Sequence, residues 1–227
     1  MKTSISSSLA LSALVFIMQL SCTNHDCRKT TEGHTFNGPY SGSNLDRISF
    51  PIGGIGAGMI CLDGTGSVSH LSVKHNPVMY SEPVCFAAIS VKGYENGAKV
   101  LEARVPEWKY YARPLTGTGS PGKLYGLPRF DSGTFQARFP FGIINLKDKD
   151  IPLSVELTGW SPFIPGDEDN SSLPAGAFEY RFRNNSDKTA EAVFSWNSRN
   201  IMVDWADRSG QQGVGSLCRK IALIREQ

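Results

Sequence analysis

From Ile48 onward the chain is written in short apolar runs separated by turn residues, and no segment sustains three turns of helical periodicity. Amphipathic helices repeat their apolar residues at i, i+3, i+4 and i+7, whereas half-buried strands alternate with a period of two. Met59-Ile60-Cys61-Leu62 is followed by Asp63-Gly64-Thr65-Gly66, then by the alternating Val68, His70 (with Leu71) and Val73. Phe86 to Val91 runs into Lys92-Gly93-Tyr94-Glu95-Asn96-Gly97, whose Asn-Gly is a strong tight-turn signal. Lys99 to Val105 alternates until Pro106 stops it. After a loop at 112–129 rich in glycine and proline, strands are expected at Thr134 to Phe139, Gly142 to Leu146 and Leu153 to Trp160. Gly176 to Arg183, a turn at Asn184-Asn185-Ser186-Asp187, and Ala190 to Trp196 read as the clearest hairpin in the chain. The pattern predicts an all-β fold, an antiparallel β-sandwich of two packed sheets. A content of 23 glycines and 13 prolines in 227 residues agrees, because turns need both.

The N-terminal residues read as a targeting segment. Lys2 is positive, Leu9 to Leu20 is largely apolar, and the run closes on Leu20-Ser21-Cys22. A charged start, a short apolar stretch and a small residue make a secretory signal over 1–21, and the stretch is too short to span a bilayer. A cysteine directly after the small residue resembles the bacterial lipoprotein signal, in which it is acylated, so Cys22 is the expected lipid attachment site. Residues 22–46 are polar and aperiodic and read as a flexible tether. The expected location is therefore outside the cytoplasm, lipid-anchored at the bacterial cell envelope or periplasmic. The fold is expected over 47–227, and the apolar run Leu217 to Ile224 near the C-terminus reads as an unfinished strand of a truncated domain.

Charge and motifs exclude several functions. A net charge of +2, with no basic stripe interleaved with aromatics, gives nucleic acid nothing to bind. The cysteines Cys22, Cys27, Cys61, Cys85 and Cys218 contain no Cys-x-x-Cys unit, and Cys61 and Cys85 read as buried free thiols. Pro51-Ile52-Gly53-Gly54-Ile55-Gly56-Ala57-Gly58 fails the dinucleotide fingerprint because Met59 stands where the third glycine is needed. Close backbone packing explains it better. Asp167-Glu168-Asp169-Asn170 lacks the calcium-loop arrangement and reads as a solvated acidic turn. His70 and His75 lack metalloprotease spacing, and His25 and His34 fall in the tether. No carboxylate pair stands out among 21 acidic residues, so the sequence nominates no catalytic, cofactor or metal residue. Trp108, Tyr110 and Tyr111 are candidates for stacking on sugars, with core or inter-domain packing the better explanation.

The stretch Phe139-Pro140-Phe141-Gly142-Ile143-Ile144-Asn145-Leu146, followed by Thr158-Gly159-Trp160-Ser161-Pro162-Phe163-Ile164-Pro165 and Asp167-Glu168-Asp169-Asn170-Ser171-Ser172-Leu173-Pro174, carries a resemblance. With Ile52 to Gly58, Asn76-Pro77 and Phe178 to Asn184, it resembles the N-terminal domain of glycoside hydrolase family 116, the non-lysosomal glucosylceramidases, from about Ile48 to about Trp196. The resemblance implies a β-sandwich that braces a C-terminal (α/α)₆ catalytic barrel. Family members cleave β-glucosides with retention and require no metal or cofactor. Their nucleophile and acid/base belong to the barrel, so no catalytic residue carries over, and this chain alone is expected to be inactive. The alternative expectation is a stand-alone surface module that binds glycans.

Overall fold

The computed structural model describes residues 35–73, 82–110 and 124–198, together with the backbone of a strand at 220–224. The signal segment, Cys22, the tether up to residue 34, His75, Tyr111, Cys27 and Cys218 lie outside the described residues.

The fold is antiparallel and β-rich, as the turn-punctuated pattern predicts, but the described residues form three sheets rather than two. The five-stranded sheet has the order β1 (Tyr40–Ser41), β7 (Ser132–Arg138), β8 (Phe141–Lys147), β9 (Leu153–Trp160) and β10 (Ala177–Asn184). The four-stranded sheet runs β12 (Lys220–Ile224), β11 (Ala190–Ser198), β5 (Cys85–Val91) and β6 (Ala98–Val100). The third sheet is the meander β2 (Ser49–Ile52), β3 (Met59–Asp63) and β4 (Val68–Ser72). Among the described residues, helix is confined to a 3-10 turn at Gly42–Leu45 and two four-residue turns, α1 (Glu107–Tyr110) and α2 (Glu168–Ser171).

Strand register explains which residues are inside. Across the five-stranded sheet Tyr40, Phe135, Ile144, Leu157 and Tyr180 are successive partners and form an inner row. One residue along, Ser41, Thr134, Asn145, Glu156 and Arg181 form a polar outer row, as a pleat of period two requires. The inner row joins one cluster with Ile52 and Leu62 of the third sheet and Ala87, Ile89, Val91 and Ala192 of the four-stranded sheet. Gly159 lies under the third sheet: a Cβ there would sit 2.4 Å from Ile52 Cδ1.

The hairpin expected at 176–196 is not a hairpin. β10 pairs with β9, while β11 pairs with β5 and β12, so the turn at Asn184 carries the chain from one sheet to the other. The facing strands meet through side chains. Phe178 stacks on Trp196 with ring centroids 6.0 Å apart, and Phe194 contacts Tyr180 at 5.3 Å and Phe182 at 5.9 Å. Both strands turn large aromatics inward, and such rows need the roughly 10 Å gap between stacked sheets, not the roughly 5 Å between paired strands. Asn184 shapes the arch by donating from Nδ2 to Lys188 O and accepting from Ser186 N.

Two other boundaries move. Only Ala98–Val100 of the alternating 99–105 run is strand. Beyond it the backbone bonds to three separate partners: Leu101 N to Ala87 O, Ala103 N to Thr65 O, and Phe130 N to Glu102 O. The fold also begins before Asp46, because β1 adds to the sheet edge and Leu45, placed by its sequence in the tether, is buried. The hairpin β5–β6 forms as its Asn-Gly predicts, although the left-handed residue of its turn is Gly93.

Candidate functional site

The glycine-rich loop Gly53–Gly58 packs backbone against backbone. Ile55 N donates to Ser171 O at 2.9 Å and Gly53 N to Ser161 Oγ at 3.0 Å. A Cβ on Gly54 would lie 2.0 Å from Leu173 O, so only glycine lets the loop against α2 approach this closely. In the acidic stretch, Asp167 caps α2 by accepting from Asn170 N, and hydrogen bonds from Asn170 hold its carboxyl below the ordinary value. Trp108 Nε1 donates to Asp46 O at 2.8 Å and the Arg47 guanidinium lies 4.3 Å from its ring, so that ring is already occupied. Tyr110 packs edge-on against Tyr125. His70, in a left-handed conformation at φ 49, sits in β4. Both cysteines are free as expected, but only Cys61 is buried while Cys85 is half-buried, and desolvation raises the pKa of each, which disfavours the reactive thiolate. Among the described residues no group of three or more His, Cys, Asp or Glu is placed to hold a metal ion.

The densest chemistry is a cluster that the sequence does not reveal. Lys109 of α1, buried, places Nζ 2.8 Å from Asp63 Oδ2 of β3 and 2.5 Å from Glu82 Oε1. Asp63 also accepts from the hydroxyls of Ser67 and Ser69. Tyr125 donates to Glu82, and Arg129 Nε lies 3.0 Å from the buried Glu102 Oε2 while its guanidinium caps the carbonyls of Leu124, Tyr125 and Leu127. Burial alone would lower the Lys109 pKa, but the carboxylates of Asp63 and Glu82 outweigh it and raise it. Burial dominates at Glu102 and raises its pKa against the pull of Arg129.

Glu102, a buried carboxyl whose pKa burial raises, invites a hydrolytic reading. The space argues against it. The cavity these groups line measures about 60 Å³, enough for ordered water and far below the roughly 300–1,000 Å³ of small-molecule sites. The cluster is a structural staple between α1, β3 and the 124–129 loop.

A second feature is apolar and exposed. Phe139 and Phe163 meet edge-on with ring centroids 4.8 Å apart, and Phe139 is 62% exposed. Ile164 follows Phe163, and both its N–H and its carbonyl bond to Ser171 Oγ. Ser171 O in turn accepts from Ile55, which is 60% exposed, and the neighbouring Gly54 packs against the backbone of exposed Leu173. Phe141, paired across the strands with Trp160, extends this apolar end onto the outer face of the five-stranded sheet.

This architecture is that of an antiparallel β-sandwich. The chain matches the family described as beta-glucosidase 2, glycosyl-hydrolase family 116 N-term, over residues 49–218. It belongs to that family, and the match continues past Trp196, where the residue-by-residue resemblance stops. No curated protein matches the chain.

Proposed function

We propose that this sandwich is the N-terminal brace of a β-glucosidase-type glycoside hydrolase, seating its apolar end against an (α/α)₆ catalytic domain that hydrolyses β-glucosidic bonds with retention. The observation that carries this reading is the exposed apolar set Phe139, Phe163, Ile164, Ile55 and Leu173, tied together by the Phe139–Phe163 ring contact and the hydrogen bonds of Ser171 to Ile164 and Ile55. Apolar patches of this kind on a folded domain mark contact surfaces, because leaving them wet forgoes about 25 cal/mol per Å². The family's description as an N-terminal domain supports a C-terminal half as the occupant. On this reading Cys22 is acylated and tethers the protein at the cell envelope.

The test is to co-express the chain with a family 116 catalytic half and measure complex formation by light scattering. Phe139→Asp with Ile164→Asp is expected to weaken the complex at least tenfold, and the chain alone is expected to leave a chromogenic β-glucoside uncleaved. Hydrolysis by the chain alone, or an undiminished complex with the double variant, overturns the reading. Incorporation of labelled palmitate, lost in Cys22→Ala, checks the anchor.

A further inference from the structure

We propose that the groove between the 3-10 turn, residues 103–104 and the start of the β7–β8 ladder binds a neutral oligosaccharide. It is open, measures about 540 Å³, and falls in the size range of ligand sites, unlike the cavity at Lys109. Its floor includes the buried Leu45 and Ala103, and its walls carry Asp46, Arg104, Thr134, Asn145 and Lys147.

Three observations favour a polyol. First, the wall groups are in register. Thr134 and Asn145 are cross-strand partners, and so are Ser132 and Lys147, which places hydrogen-bonding side chains on one face at spacings of roughly 5–7 Å. The Thr134–Asn145 row continues across the outer face through Glu156 to Arg181, giving a polar track that leads out of the groove.

Second, these groups are unused. Among the described residues the side chains of Arg104, Thr134, Asn145 and Lys147 make no hydrogen bond or ion pair. Charged groups within reach do pair elsewhere on the same face, where Arg181 lies 3.2 Å from Glu156 and 3.3 Å from Glu179.

Third, the balance of charge is neutral. Arg104 and Lys147 are offset by Asp46 and Asp131, so a polyanion gains no net attraction. The planar carboxylate, amide and guanidinium ends of Asp46, Asn145 and Arg104 can each engage two adjacent hydroxyls at once, the recognition that vicinal diols offer.

The glycan-binding role therefore falls on this polar groove rather than on Trp108, Tyr110 and Tyr111. It stands independently of the brace reading. Asn145 lies four residues along β8 from Phe141, about 14 Å from the apolar end, so both surfaces can be occupied together.

The experiment titrates the full chain separately with cellotetraose and with maltotetraose by calorimetry, up to millimolar sugar. Saturable binding of at least one is expected, weakened at least tenfold in Arg104→Ala with Asn145→Ala and unchanged in Phe139→Ala. An unchanged thermal midpoint in the double variant separates loss of contact from loss of fold. As a second measurement, bound sugar is expected to slow acetylation of Lys147. Absence of saturable binding to either sugar, or full binding by the double variant, overturns the proposal.

Discussion

Lys109 Nζ lies 2.8 Å from Asp63 Oδ2, so a lysine from a single helical turn neutralises a carboxylate at the end of β3 beneath the surface. Breaking a buried pair by removing one partner leaves an uncompensated charge and costs about 3–5 kcal/mol. Lys109→Met is expected to lose that much in urea denaturation, and Asp63→Asn in the same chain to recover part of it. Equal losses that simply add would show that the two charges do not act on each other.

Asp148 gives the fold a defined acid limb. Burial would raise its pKa, but bonds from Lys99 and from the backbone N–H groups of Asp150 and Asp131 outweigh it and lower it from 3.8. Its Oδ1 and Oδ2 each lie 2.7 Å from Lys99 Nζ. A carboxyl whose folded pKa is lowered contributes stability that is present above 3.8 and lost as pH falls through the folded value. Asp148→Asn is therefore expected to be less stable than wild type at pH 7, with the gap closing below 3.8. Denaturation midpoints measured across that range check it.

The glycine-rich loop separates two kinds of glycine. A Cβ at Gly54 meets Leu173 O at 2.0 Å, whereas Gly56, at φ +73, has nothing within 4 Å. Gly54→Ala forces two backbones apart and is expected to cost about 2–3 kcal/mol. Gly56→Ala meets only backbone strain, about 1 kcal/mol. Thermal unfolding of the two variants should rank them in that order.

Phe194 touches aromatics at two positions of the opposite strand, Tyr180 and Phe182. Phe194→Ala is expected to cost about 3 kcal/mol. The loss should appear together with a fall in near-ultraviolet circular dichroism, since it loosens the contact between the two sheets. A loss below about 1 kcal/mol would show that the sheets are held elsewhere.

The strands were legible because alternation and turn residues act locally. Met59–Asp63, Val68–Ser72 and Leu153–Trp160 fall close to where the pattern puts them. The arch at Asn184 was not, since a hairpin and a sheet-to-sheet crossing share alternation and turn chemistry. The signal was there in the inward series Phe178, Tyr180 and Phe182 facing Phe194 and Trp196. The site residues were hidden for another reason. Lys109 sits in the polar run Glu107-Trp108-Lys109-Tyr110 and looks solvated until α1 carries it inward. Thr134, Asn145 and Lys147 read as ordinary surface residues until strand register sets them on one face, and Arg104 reaches the same groove from the segment beyond β6.

The crossing at Asn184 also sets the order in which the chain can assemble. β5 pairs with β11, roughly a hundred residues later, whereas β7, β8, β9 and β10 each find their neighbour next in sequence. During synthesis the meander of the larger sheet can close while β5 and β6 still wait as an isolated ribbon, too small to be stable alone. The third sheet covers part of the larger sheet's inner face early, but the rest is covered only when β11 pairs with β5 and sets Phe194 and Trp196 against β10, so that late pairing decides whether the sandwich closes or aggregates.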